Sequence, residues 1–125
     1  MITLITPPDI FENENTSILF MNISEAEQES ASKWFSDHNL SKPLNLYYYN
    51  GETDIGWLFH ALSISKGVYL NCDNDSDVTK WITSYVLSKH NVWYKASDEN
   101  FRALMSYINQ KPVTDITKFL EVQFG

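Results

Sequence analysis

Residues 17–39 read SILFMNISEAEQESASKWFSDHN, and the pattern changes character in the middle. Ser17 to Ile23 is nearly continuous in β-favouring and apolar side chains, as in a strand covered on both faces. From Ser24 the run turns polar, and its apolar residues thin to Ala31, Trp34 and Phe35, the spacing of one helix face. Ser24 and Glu27 have the spacing of a capping box, in which each side chain satisfies the other's backbone N–H. Glu25, Glu27 and Glu29 add negative charge near the positive end of that helix. A buried strand running into an amphipathic helix is the opening of a β-α unit.

The alternation continues along the chain. LNLYYY (Leu44 to Tyr49) predicts a second strand and leads to a helix from about Asp54 to Ser65, with Lys66-Gly67 placed to close it. VYLNC (Val68 to Cys72) predicts a third strand, followed by a helix near Ser76 to Lys89 bearing Val78, Trp81, Ile82 and Tyr85 on one face. VWYK (Val92 to Lys95) predicts a fourth strand, with Ser97 as cap of a helix holding Phe101, Leu104, Met105 and Ile108. A last short helix from near Thr114 is expected to bury Ile116, Phe119 and Leu120.

Strands that alternate with helices pair in parallel through right-handed crossovers. The chain therefore reads as one three-layer α/β domain over residues 1–125, with an open, mainly parallel sheet flanked by helices. SILFMNI, the most apolar strand, belongs at the centre, and LNLYYY, with Asn45 and tyrosines, nearer an edge. The expected core order is 2-1-3-4. Residues 1–16 form an N-terminal extension or a further edge strand. Ile18, Phe20, Leu46, Leu58, Leu62, Leu70, Trp81, Phe101 and Leu104 are expected in the core.

Composition narrows the function classes. At 125 residues, 43% hydrophobic and 14% aromatic, the chain can fill one core and is not a disordered segment. Sixteen acids against nine bases give −7, and the bases are scattered. Nucleic-acid binding needs clustered Lys and Arg to displace counterions, and an anionic membrane repels such a chain, so neither is an expected partner. The single cysteine, Cys72, excludes an internal disulfide and a cysteine-based zinc cluster. No apolar run of about eighteen residues is present, as a membrane span would need. MITLITPPDIFENEN lacks the basic and long apolar regions of a secretory leader, which predicts a cytoplasmic location.

Two stretches approach known ligand loops and fail on chemistry. GETDIG (Gly51 to Gly56) lies between a strand and a helix, where a phosphate loop would be, but Trp57 and Leu58 replace the Lys and Ser/Thr that hold phosphate and Mg²⁺. DNDSDV (Asp73 to Val78) opens with the spacing of a calcium loop, but Val78 and Ser84 stand where Gly and Glu are required. It reads best as a polar turn that caps a helix. No cofactor is indicated, no metal is defined, and no catalytic motif appears, so the sequence leans away from an enzyme.

Parallel strands send all their β-α loops to one edge, the usual ligand side. Glu52, Asp54, Asp73, Asp75 and Asp98 fall in those loops and form an expected acidic rim, suited to a divalent cation, a small molecule or a basic partner. Such residues are also the ordinary helix caps.

The second helix poses a separate question. Ile55, Leu58, Phe59 and Leu62 share one face and predict its core stripe, while Trp57, His60, Ala61 and Ile64 lie on the opposite face. Either PPDIF (residues 7–11) or the last helix covers that second face, or it is an exposed apolar patch through which the protein self-associates as a dimer or docks another protein. The enrichment of Trp at interface centres favours the second alternative. A protein-interaction or self-associating module is therefore the first functional expectation, and a ligand- or cation-binding protein using the rim is the second.

The segments NLYYYNGETDIGWLFHAL and YLNCDNDSDVTKWITSYVLSK, rich in Asn, Asp, Ser, Tyr and Ile, resemble small uncharacterised accessory proteins of T4-type tailed phages, including marine ones. The resemblance spans most of the chain and contains no motif. It implies an accessory protein made in a bacterial cytoplasm, with no activity or site residue attached.

Overall fold

The computed structural model describes residues 2–40, 42–51, 54–74, 89–90, 92–108 and 110–125. The polar–apolar alternation resolves into β1 (Thr16–Met21), α1 (Glu25–Asp37), β2 (Leu44–Tyr49), α2 (Ile55–Ile64) and β3 (Gly67–Asn71). A single 3₁₀ turn (Cys72–Asn74) follows, and then come β4 (Trp93–Lys95), α3 (Glu99–Tyr107), β5 (Lys111–Pro112) and α4 (Ile116–Phe124). All the strand pairs are parallel, in the order β2-β1-β3-β4-β5. The expected 2-1-3-4 core is present, extended by β5. The helix expected near Ser76 to Lys89, with Trp81, lies outside the described residues.

Alternate residues of the central strands feed two cores. Leu19, Met21, Val68 and Leu70 point to the layer of α2 and α3, packing on Leu58, Leu62, Phe101 and Met105. Ile18, Phe20 and Tyr69 point to the layer of α1 and α4, packing on Ala31, Trp34, Ile116, Phe119 and Leu120. Ile18 to Met21 are fully buried, which is why this strand has no polar face.

The two sheet edges are closed differently. At β2 the N-terminal segment comes alongside for one residue: the Ile5 N–H donates to the Leu46 carbonyl (2.7 Å), and the Ile5 carbonyl accepts from Tyr48 N–H (2.9 Å). At the other edge β5 has only two residues, and its lysine and proline discourage a further strand from pairing.

Four expectations of side-chain placement are corrected. In α2 the buried face is Trp57, Leu58, Ala61 and Leu62, while Ile55 and Phe59 are 40% and 47% exposed. The cause is the N-terminal segment, which crosses this helix: the Trp57 indole N–H donates to the Asp9 carbonyl at 2.7 Å. Just beyond, the Tyr47 hydroxyl donates to the Phe11 carbonyl and accepts from the Phe11 N–H, both at 3.0 Å. Leu104, expected in the core, is 43% exposed, because α3 turns Phe101 and Met105 inward. The cap of α3 is Asp98, not Ser97; its carboxylate accepts from Phe101 N–H at 2.8 Å. Gly67 does not terminate α2 in a left-handed turn; it begins β3, and Ser65 caps the helix with extended backbone.

Candidate functional site

The carboxyl ends of the strands carry two polar constellations. The first lies where the chain reverses, between β1 and β3. Asn22 leaves β1 with φ of 58°, a left-handed geometry that Asn tolerates better than most residues. Its N–H donates to the Tyr49 carbonyl (2.7 Å), and its carbonyl accepts from Asn74 Nδ2 (2.8 Å). Ser24 then caps α1 in the predicted capping box with Glu27.

Glu27 does more than complete that box. Its carboxylate accepts from the Tyr69 hydroxyl at 2.7 Å and from the Asn71 side-chain amide, tying the first turn of α1 to β3. Both donors are buried, so the carboxylate takes the place of the water they gave up. Glu25 and Glu27 in this first turn would repel a phosphate from the helix end that ordinarily attracts one. This constellation is a clasp rather than a ligand site.

Burial pushes the Tyr69 hydroxyl up from its ordinary 10.0, and Glu27 beside it adds in the same direction. A phenol whose folded pKa is raised contributes stability that is fully present below the unfolded value and is lost as pH rises beyond it. Unfolding free energy is therefore expected to fall as pH climbs above about 10, the unfolded Tyr value. Urea melts of Tyr69→Phe across that range should show a shallower alkaline loss than the native chain.

The second constellation is a cleft of about 320 Å³ at the ends of β4 and β5, lined by Tyr94, Lys95, Ser97, Arg102 and Thr114 among others. Asp73 reaches it from the turn after β3. Its Oδ1 accepts from the Ser97 N–H (2.7 Å) and from the Ser97 hydroxyl (2.8 Å), and its Oδ2 lies 3.8 Å from Lys95 Nζ. The ammonium and carboxylate keep about a third of their side-chain surface in contact with solvent (37% and 31%), so the pair is screened and loose. Ser97 and Thr114 immediately precede the caps of α3 and α4, so both helices start at the rim. The described lining holds two cations (Lys95, Arg102), one anion (Asp73) and three hydroxyl-bearing residues (Tyr94, Ser97, Thr114), together with Pro112 and Val113.

The acidic rim of the sequence is brought together only in part. Asp54 caps α2, accepting from Trp57 N–H at 2.9 Å, and Asp98 caps α3; of the described rim residues, Asp73 alone lines the cleft. Glu52 and Asp75 lie outside the described residues. Among the described residues no group of three His, Cys, Asp or Glu side chains is placed to hold a metal ion. Lys95, Ser97, Arg102 and Thr114 were not singled out as a site by the sequence. Their available signal was position: Lys95 ends β4, the others lie beyond the ends of β4 and β5, and Arg102 is the chain's one arginine.

The docking face drawn from Trp57, His60, Ala61 and Ile64 is also corrected. Trp57 is 5% exposed and Ala61 fully buried within a single chain. The Trp57 ring meets Tyr47 edge-on (5.8 Å between centroids) and stacks on Tyr49 (6.2 Å). Ile64 is half-buried against the same core, and His60 Nε2 lies 2.7 Å from Glu12 Oε1 of the crossing segment. PPDIF, the intramolecular alternative, is what covers Trp57.

No family model, no curated protein and no solved structure matches the chain. Among the described residues, no helix is long and apolar enough to cross a membrane.

Proposed function

We propose that the protein is a binding module for a small anionic molecule, held in the cleft at the carboxyl ends of β4 and β5. The carrying observation is that this acidic chain places its one arginine and Lys95 in the same cleft as the Ser97 and Thr114 hydroxyls. An arginine fork and an ammonium are the groups that hold carboxylate or phosphate oxygens. The location supports the reading, because open parallel sheets bind ligands outside the carboxyl ends of their strands. The cleft volume suits a metabolite-sized anion rather than a large cofactor. Asp73, bound by Ser97 and facing Lys95, positions these groups and is a poor cation ligand by itself. The described lining supplies charges and donors for binding, and the Ser97 hydroxyl donates to the Asp73 carboxylate.

Thermal-shift titration with phosphate, citrate, succinate and nucleoside monophosphates tests the reading. At least one anion should raise the melting temperature saturably, and Arg102→Ala should abolish the rise. Arg102 is exposed, so the substitution itself should change stability by no more than about 0.5 kcal/mol. A panel without effect, or an unchanged response in Arg102→Ala, would remove this function.

Self-association, the first expectation from the sequence, has one observation in its favour after the loss of Trp57. Ile55 and Phe59, one turn apart on α2, remain 40% and 47% exposed, and Phe11 is 50% exposed. A second copy would cover this apolar stripe. Sedimentation velocity should then show a dimer that Phe59→Ser converts to monomer with its melt unchanged. A monomer at all concentrations would dismiss this second reading.

A further inference from the structure

A second cleft, of about 230 Å³, opens at the opposite edge of the sheet, by the amino ends of β1 and β2. Leu40, Leu44 and Phe124, all half-buried, supply its apolar side chains. Thr16, Lys42 and Lys66 supply its polar groups. Among the described residues neither lysine side chain has a carboxylate partner, although acids outnumber bases in this chain. Two ammonium groups without a carboxylate among the described residues, beside these apolar side chains, favour a ligand that is charged at one end only.

The surroundings of the cleft add an independent observation. Among the described residues two buried side-chain polar atoms lack a hydrogen-bond partner, Trp34 Nε1 and Ser65 Oγ. Each belongs to a residue next to this cleft's lining. The Trp34 ring packs on Phe124 with centroids 5.8 Å apart, and Ser65 directly precedes Lys66. Trp34 is 6% exposed, and its buried N–H meets no acceptor among the described residues. Two further rings pack on it: Phe35 meets it edge-on at 5.4 Å, and His38 stacks on it at 4.0 Å.

We infer that this amino-edge cleft binds a small amphipathic carboxylate, with an aliphatic chain or single ring against Leu40, Leu44 and Phe124 and its carboxylate between Lys42 and Lys66. Contact of the apolar body with these side chains and pairing of the carboxylate with the two ammonium groups both contribute, and the charge selects acids over alcohols of the same length. The site is independent of the carboxyl-edge cleft, because no residue lines both. Failure of one does not bear on the other.

Octanoate is a suitable probe, followed by the indole N–H resonance of Trp34 in heteronuclear NMR, assigned with Trp34→Phe. Octanoate should shift that resonance saturably. Octanol, and octanoate added to the Lys42→Ala/Lys66→Ala double variant, should each bind at least about tenfold more weakly. Both lysines are exposed, so the double variant should melt as the native chain does. Equal affinity for octanol, an unaffected double variant, or shifts confined to residues away from the cleft would overturn the inference. So would the absence of saturable binding at millimolar octanoate.

Discussion

Replacing Trp57 by Ala is expected to cost about 3–5 kcal/mol of stability, the range for removing a fully packed tryptophan from a core. The ring is 5% exposed and wedged between Tyr47, Tyr49 and the N-terminal segment. The same change removes the donor that anchors the Asp9 carbonyl, so residues 2–15 lose a clamp as well as a contact surface. Limited proteolysis should cut the variant within that segment well before the native chain, and amide exchange near Phe11 should quicken. Trp57→Phe separates the two effects: it keeps most of the packing and loses the indole hydrogen bond, at about 1–2 kcal/mol. Light scattering is expected to give the same mass for all three proteins. A Trp57→Ala protein with an unchanged melt would mean that the segment does not cover the helix.

The second large effect is expected at Glu27. Alanine there leaves the Tyr69 hydroxyl and the Asn71 amide buried without their acceptor, and breaks the α1 capping box. Each stranded donor costs about 1–3 kcal/mol, and a lost capping interaction about 1 kcal/mol. The contributions overlap because they share one carboxylate, and a total near 3 kcal/mol is expected. For a domain of this size that lowers the melting temperature by roughly 10 °C. Glu27→Gln retains an acceptor oxygen and should recover most of the loss. Tyr69→Phe removes a donor together with its need for a partner, so it should be milder than Glu27→Ala at neutral pH. Equal melts for Glu27→Ala and Glu27→Gln would show that the clasp contributes little.

Much of the parallel sheet was legible because its signals are local. Ile18 to Met21 admits no polar face, the Ser24–Glu27 box marks a helix start, and the described helices after β1, β2, β4 and β5 each begin at a capping serine or aspartate. The phase of α2 was not legible. The helix is apolar nearly all round, so two stripes compete, Ile55–Phe59 on one side and Trp57–Ala61 on the other, both sharing Leu58 and Leu62. Asp9 and Phe11, some fifty residues earlier in the chain, break that tie by crossing the Trp57 side. Strand β5 was missed because Lys111-Pro112 has no strand pattern; the ladder around it runs through backbone alone, from Lys111 N–H to Val92 and from Val113 N–H to Tyr94. The cleft was hidden for a related reason. Asp73, Lys95, Arg102 and Thr114 are ordinary loop, strand and helix residues in sequence, and only the ordering of β3, β4 and β5 side by side assembles them. The acidic rim went the other way. Asp54 and Asp98 looked like ligands in a row and are instead occupied with the first free N–H groups of their own helices.

The proposal that the carboxyl-edge cleft is a small-anion site is tested most directly by mapping where an anion touches the molecule. Backbone amide shifts of the labelled protein would be followed through titration with the anion that stabilises it most. The expected perturbations centre on Lys95, Ser97, Arg102 and Thr114, saturate together, and weaken as salt screens the two cations. They should vanish in Arg102→Ala while the rest of the spectrum stays superimposable. Perturbations that never saturate, or that centre on another part of the surface and persist in Arg102→Ala, would contradict the assignment.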